Sequence, residues 1–257
     1  MSSSAEPPAA IAYDGCSARA LAARLGLPRV ELFDVVGSTF DVAHAIAADA
    51  PAGTLVLADR QSAGRGRQGR RWESPSGAGV WLTLIERPAD LRALDVLSLR
   101  CGLHAAAALD ALAGEAIALK WPNDLYLGGR KLAGILIETR WRGATPDWVA
   151  IGFGLNVVAP QLETATGLPA GTSRLDALSR LVPALRAAAA ARGHLNDEEL
   201  ATWRARDVTF GRTTTAPAAG IARGIDAAGE LLIEEPGGIV SRHRTGSLTF
   251  DEPLPCS

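Results

Sequence analysis

The sequence predicts an α+β protein: a main body of strands mixed with segregated helices, followed by a small β-barrel. Three observations carry this reading. Apolar strand runs and helical patterns share residues 29–206, but they do not alternate as regular βαβ units would. From Asp207 onward the pattern changes to short β segments separated by glycine turns. A chain of 257 residues, 47% of them hydrophobic, can bury a sizeable core. The expected divisions are an N-terminal extension (1–28), a main body (29–206) and the small β domain (207–257).

The elements follow in order. Ser17 to Leu25 carries a short helical pattern, and Val30-Glu31-Leu32-Phe33 a strand. No further helices fall between them, which argues against a helix-turn-helix. Ser38 or Thr39 can cap a helix through Ile46, because a short hydroxyl side chain satisfies the first free N–H groups. Thr54–Ala58 reads as a buried strand, Gln61–Gly79 as a loop, and Val80–Ile85 as another strand. One long amphipathic helix is expected from about Ala93 to Ala113. Three strand runs come next: Ala116–Trp121, Leu125–Leu127 and Leu132–Glu138, with Gly128-Gly129 as a two-residue hairpin turn. Arg142–Asp147 reads as a turn and Trp148–Phe153 as a strand. Two helices follow, at about Ser173–Arg192 and Asp197–Arg206. The small domain holds Ile221–Ile225, Leu231–Glu235, Gly238–Arg242 and Ser247–Phe250.

Composition excludes several classes. The formal net charge is −2, which argues against a general nucleic-acid binder. No apolar run approaches the roughly 18 residues of a membrane span. Met1–Pro8 lacks the basic-then-apolar order of a signal peptide. Cys16, Cys101 and Cys256 form no CxxC, so neither a disulfide framework nor a zinc site is expected, and a cytoplasmic setting fits.

The basic residues are unevenly chosen. Of 26, only Lys120 and Lys131 are lysine. Arginine is a planar fork that stays charged, whereas lysine is a compact ammonium with a movable pKa. A lysine that survives so strong a bias points to a position that arginine does not fill; chance placement is the other reading. The two flank Asn123-Asp124.

Gly64-Arg65-Gly66-Arg67-Gln68-Gly69-Arg70-Arg71-Trp72 concentrates positive charge in a slightly acidic chain. Glycine lets backbone approach a ligand, and guanidinium forks match phosphate and carboxylate oxygens. The segment matches GxGxxG by letter. The residues after it, Arg70-Arg71-Trp72-Glu73-Ser74-Pro75, cannot open the helix that a dinucleotide fingerprint requires. A surface loop and an RNA-binding RG segment are the other readings. Lys120 fits both a surface charge at a strand end and a site lysine. Lys131, on the strand beside the Asn123-Asp124 end, fits a hairpin flank or a ligand contact. Gly134 within its strand admits a close approach to the backbone. Asn123-Asp124 also reads as a turn, and Asn156 after Phe153-Gly154-Leu155 as a cap.

Taken together, Gly64–Trp72, Lys120-Trp121-Pro122-Asn123-Asp124, Lys131-Leu132-Ala133-Gly134-Ile135-Leu136 and Gly152-Phe153-Gly154-Leu155-Asn156 resemble the signatures of biotin–protein ligases, in order and spacing. The resemblance runs over about residues 30–250. It implies a class II synthetase-like catalytic domain over 29–206, built on a mixed β-sheet with flanking helices, and an SH3-like barrel over 207–257. It also implies the ligase-only class, without an N-terminal DNA-binding domain. The implied reaction converts biotin and ATP to biotinyl-5′-AMP and pyrophosphate. Biotin then passes to a lysine of a biotin carboxyl carrier domain.

By the same resemblance, Ser38, Thr39 and Gln61 meet the biotin ureido ring, and Arg65, Gly66 and Arg67 line biotin and the adenylate. Gly134 belongs to the biotin site. Lys131 sits on the biotin carboxylate and the α-phosphate, so Lys131 and Arg67 are the implied catalytic pair. Arg70, Trp72, Asn123 and Asn156 join Arg67 on the nucleotide, and Asp124 is the implied Mg²⁺ ligand. Two positions depart from the family pattern. Phe40 stands where an Asn usually follows the Ser-Thr pair, and Gly246-Ser247-Leu248 replaces Gly-Glu-Val. The alternatives are a lipoate or octanoate ligase, whose RRxSGGG-like motif is absent, a nucleic-acid-binding module, and a non-catalytic biotin sensor.

Overall fold

The computed structural model describes residues 11–88 and 90–251. Met1–Pro8 and Cys256, singled out above, lie outside them.

Ala12–Tyr13 (β1) and Cys16–Ser17 (β2) form a short hairpin before α1 (Ala18–Leu25). Ser17 caps α1, and Gly26 ends it at φ 62°, a left-handed conformation that glycine adopts without strain. Then come β3 (Arg29–Val36), α2 (Thr39–Ile46), β4 (Thr54–Gln61) and β5 (Gly79–Glu86). The helix expected over Ala93–Ala113 is two: α3 (Leu91–Asp95), capped by Asp90, and α4 (Leu97–Ala113). Between them Val96 leaves helical geometry (φ −111°, ψ 5°), with its side chain fully buried. Burying that side chain outweighs the local preference for an unbroken helix.

Next are β6 (Ala118–Lys120), β7 (Asp124–Leu127), β8 (Arg130–Arg142) and β9 (Thr145–Asn156). The last two outrun the expected strands, and the turn between them shrinks to Gly143-Ala144. The helices α5 (Arg174–Ala190) and α6 (Asp197–Arg206) precede β10 (Thr213–Ala216), β11 (Gly220–Ile225), β12 (Leu231–Glu234), β13 (Val240–His243) and β14 (Thr249–Phe250). The sequence reading missed β10, whose polar Thr-rich run carries no apolar alternation, and the two-residue β1 and β2.

Seven strands form one mixed sheet in the order β3-β4-β5-β9-β8-β7-β6, with β3 and β4 parallel and every other pair antiparallel. Strand side chains alternate between faces. On β9, Ile151, Phe153 and Leu155 enter the main core beneath α4 and α5, while Ala150, Gly152, Gly154 and Asn156 face the other way. On that second face α2 covers one half, its own Phe40 and Ala43 sharing a buried cluster with Trp148 of β9. The glycines of β8 and β9 leave the other half without bulk, and this opens the site.

The last five strands pair antiparallel in the order β13-β12-β11-β10-β14. Leu231, Ile233 and Leu248 join the main core, and the Trp121 indole donates to the Gly229 carbonyl at 3.1 Å. No helix among the described residues is long and apolar enough to cross a membrane.

Candidate functional site

A cavity of about 410 Å³ lies on the glycine half of the sheet. Its floor is Gly134, Gly152 and Gly154, and its roof is the arginine–glycine segment. That segment is a hairpin rather than an open loop. Trp72 N–H donates to Gly64 O at 2.9 Å, Gly66 N–H to Arg70 O at 2.8 Å, and Arg70 N–H to Arg67 O at 3.1 Å. Its turn places Gln68 and Gly69 at φ 56° and 72°. A Cβ at Gly64 would lie 2.4 Å from the Trp72 carbonyl, so only glycine fits there.

At one end are the helix-start residues. Ser38 caps α2 through Phe40 N–H at 3.3 Å. Gln61 Oε1 accepts from Thr39 N–H (2.8 Å) and Thr39 Oγ1 (3.1 Å), while Gln61 Nε2 donates to Ser74 Oγ at 2.8 Å. Thr39 and Gln61 line the cavity, and Ser38 lies just behind it at 1% exposure. Arg65 stacks over Phe40 at 5.5 Å and pairs with Glu138 at 2.7 Å; the other Glu138 oxygen meets His44 at 2.7 Å.

At the centre, Lys131 Nζ stands 2.7 Å from Asp124 Oδ1 and 5.3 Å from the centre of the Trp72 ring. Both backbone groups of Lys131 are held by a segment distant in sequence: its N–H donates to Thr164 O and its carbonyl accepts from Thr166 N–H, each at 2.9 Å. The Trp72 indole lies between Gly134 and Gly154. A Cβ at Gly154 would come within 2.5 Å of its Nε1, and that nitrogen is buried without a partner. Buried indole N–H groups ordinarily find an acceptor, so this one is an exception.

Towards the C-terminal sheet, Arg67 donates to Asn123 Oδ1 (3.2 Å) and to Gly246 O (3.4 Å). Asn123 Nδ2 in turn donates to Ile135 O at 2.7 Å, which fixes the side chain that receives Arg67. Burial pushes the Arg67 pKa down, against the attraction of Asp124; Arg70 adds to the lowering. Arg70 donates to Ser247 Oγ at 3.0 Å. Asn156 donates to Thr166 O at 3.1 Å on the far side.

The expected residues therefore converge on one cavity, with Ser38 as its support. Phe40 turns its ring down onto Gly152 while edging the cavity. Other contributors were not singled out: Glu138, which pairs with both Arg65 and His44 beside the cavity, the lining residues Pro160, Leu162, Thr164 and Ala165, and the contacts of Gly246 and Ser247 to the arginines. All are brought in by tertiary packing, and no local pattern marks them. Among the described residues, no cluster of three or more His, Cys, Asp or Glu could hold a metal.

The family model of the biotin/lipoate A/B protein ligase family matches residues 32–156. The bifunctional ligase/repressor BirA of Bacillus spizizenii is 43% identical over 126 residues, 48% of this chain and 39% of that protein. The chain thus spans about two fifths of that relative. The biotin–[acetyl-CoA-carboxylase] ligase of Paracoccus denitrificans is 35% identical over 219 residues, 71% of this chain and 85% of that protein. In fold, the chain is similar to the biotin protein ligase of Aquifex aeolicus in complex with biotin and ATP, with a TM-score of 0.70 and 22% identity over 87% of this chain and 98% of that one. A match of this identity across most of the Paracoccus protein, on a chain with the same architecture as the Aquifex one, shows that this chain belongs to the biotin–protein ligases of the biotin/lipoate A/B protein ligase family.

Proposed function

We propose that the chain is an ATP-dependent biotin–protein ligase acting on the lysine of a biotin carboxyl carrier domain. The observation that carries this is the Lys131 ammonium, held by Asp124 over the cavity floor beneath the arginine hairpin. In the first step a carboxylate oxygen of biotin attacks the α-phosphorus of ATP, the bond to the β-phosphate breaks, and pyrophosphate leaves. Two anions must meet, and fixed cations aimed at the developing charge lower that barrier. Lys131 bridges the biotin carboxylate and the α-phosphate, and Arg67 faces the charge that builds on the phosphates. In the second step the carrier amine attacks the acyl carbon, the bond from that carbon to the AMP oxygen breaks, and the amine's proton passes to a phosphate oxygen of the departing AMP or to Asp124. No protein nucleophile is required.

Biotin's ureido ring fits the polar end made by Ser38, Thr39 and Gln61, with Arg65, Gly66 and Gly134 along its length. The nucleotide runs past Arg67, Arg70, Trp72 and Asn123 to Asn156. Asp124 is the carboxylate that would hold a Mg²⁺ arriving on ATP, a cation that commonly binds through one or two carboxylates plus substrate phosphates. The bound ion supplies charge neutralisation. We read residues 1–28 as an extension, 29–206 as the catalytic unit and 207–257 as an SH3-like barrel. The free thiols of Cys16 and Cys101 agree with a cytoplasmic setting. The absent RRxSGGG-like motif disfavours a lipoate or octanoate ligase.

The test is incubation of the protein with biotin and ATP, followed by addition of a carrier domain. Biotinyl-AMP, pyrophosphate and then biotinylated carrier are expected. Pyrophosphate release with lipoate but not biotin would overturn the assignment.

A further inference from the structure

Of the four arginines between Gly64 and Trp72, Arg65 alone pairs with carboxylates among the described residues. Arg67 turns to Asn123 and Gly246 O, Arg70 to Gln68 and Ser247, and Arg71 to the Ser62 carbonyl. Glu138 Oε1 meets the Arg65 guanidinium at 2.7 Å, whereas the exposed Asp41 carboxylate lies farther off at 3.5 Å. The second Glu138 oxygen stands 2.7 Å from His44 Nε2. One half-buried carboxylate therefore joins three parts of the chain: β8, which carries it, α2 through His44, and the roof hairpin through Arg65.

The place of this junction decides what it does. Residues two apart on a strand share a face. Gly134 and Leu136 of β8 line the cavity, and Glu138 is the next residue on that face. Arg65 lines the cavity too, and it crosses to Glu138 over the Phe40 ring, 5.5 Å from the ring centre. A flat aromatic face beneath a guanidinium orients its plane as well as attracting its charge. Phe40 follows Thr39, whose N–H and hydroxyl both donate to Gln61, so the crossing lies at the Ser38–Thr39–Gln61 end. The carboxylate is itself braced, because the His44 ring stands edge-on to Trp148 with centroids 4.8 Å apart. A pair that spans roof and floor exists only while the hairpin is down, and so it opposes lifting.

We propose that Glu138 is a positioning residue for the biotin site: it anchors the Arg65 guanidinium over Phe40, ties the roof hairpin to β8 at the ureido end, and so slows the escape of bound biotin. The proposal rests on the ligase reading for the identity of the ligand; the tie between Glu138 and the hairpin does not. Arg65 is then a strut whose charge is spent on Glu138, while Lys131 and Arg67 face the reacting groups.

The experiment compares wild type with Glu138→Gln, which keeps the shape of the side chain and removes its charge. Hydrogen exchange of the ligand-free proteins reads the hairpin directly. The Gly66, Arg70 and Trp72 amides, which close the hairpin, should exchange roughly three- to tenfold faster in the variant, the size expected of one partly exposed charge pair. Amides of β5 and β9 should not change. The dissociation rate of biotin should rise by a similar factor, and with it the KM for biotin, while the KM for ATP and kcat stay within about twofold. In an Arg65→Met background, Glu138→Gln should add nothing to either rate. Unchanged hairpin exchange would overturn the proposal, as would unchanged biotin dissociation from a variant whose hairpin is loosened. An equal gain in exchange across β5 and β9 would overturn it too, since Glu138 would then only support the fold. So would an effect that persists in full in Arg65→Met, which would place it on His44 and α2. Failure of the wild type to bind biotin would defeat the ligase reading, and the hairpin exchange would still decide whether Glu138 holds the roof.

Discussion

The Phe40 ring fills the space that a side chain at position 152 would need. A Cβ built on Gly152 would lie 2.1 Å from Phe40 Cε2. The ring is 3% exposed and belongs to the smaller buried cluster under α2. Gly152→Ala must therefore displace it, at a cost of about 1–3 kcal/mol. Phe40→Ala empties a buried site and should cost about 3–5 kcal/mol. The double variant should be more stable than the two losses predict, because each removes the cause of the other's strain. Urea unfolding of the three variants measures this. Strict additivity would show that the two groups do not compete for the same space.

Lys131→Ala should keep the fold, since its ammonium is partly exposed and its backbone is held by Thr164 and Thr166 through main-chain groups. Adenylate formation should fall by about 100-fold or more, as expected when a fixed charge is taken from developing negative charge. Pyrophosphate release at saturating ATP reports this. Turnover at the wild-type rate would remove Lys131 from the chemistry.

Asn123 positions Arg67. Its amide nitrogen is spent on the Ile135 carbonyl, and its oxygen receives the guanidinium. Arg67→Ala should speed loss of biotinyl-AMP from the closed site. Asn123→Ala should do the same more weakly. Together they should be no worse than Arg67→Ala alone, a coupling of about 0.5–3 kcal/mol. Dissociation rates of the intermediate decide it. Independent effects that multiply would mean that Asn123 touches the ligand itself.

What could be read in advance follows the physical range of each signal. Trp148–Phe153 is legible as a strand because its apolar run is local, but its extension to Asn156 and the cleft over Gly152 and Gly154 are not. Ser38 and Ser17 act as helix caps because capping is local. The bias against lysine singled out both Lys120 and Lys131, but could not say that only Lys131 owns a carboxylate. That depends on a bulge between Leu125 and Tyr126, which lets a residue paired with Tyr126 reach back to Asp124. The grip of Thr164 and Thr166 on Lys131, and of Gly246 and Ser247 on the arginines, spans distances in sequence that no periodicity records.

Arg174 ties three parts of the chain together, and the tie has a pH signature. Its guanidinium pairs with Asp14 after β1 and with Asp59 of β4, the latter at 2.6 Å, and stacks 4.3 Å from the centre of the Tyr13 ring. Burial alone would raise the Asp59 pKa. The Ser76 hydroxyl, Arg174 and the Gly77 N–H outweigh it and hold the carboxyl below its usual range. A folded-state pKa below the unfolded one contributes stability that is present in full above the unfolded value, about 3.9. That contribution disappears as pH falls through the folded value. Asp59→Asn should therefore melt below wild type at pH 7, and the gap should narrow once the pH drops below about 4. Arg174→Met should lose part of the same pH-dependent difference, because the Ser76 hydroxyl and the Gly77 N–H still lower the Asp59 pKa once the guanidinium is gone. Thermal melts of the three proteins between about pH 2.5 and 7 follow the linkage. A gap between wild type and Asp59→Asn that stays constant, or widens in acid, would show that Asp59 is not held in its charged form by Ser76, Arg174 and the Gly77 N–H.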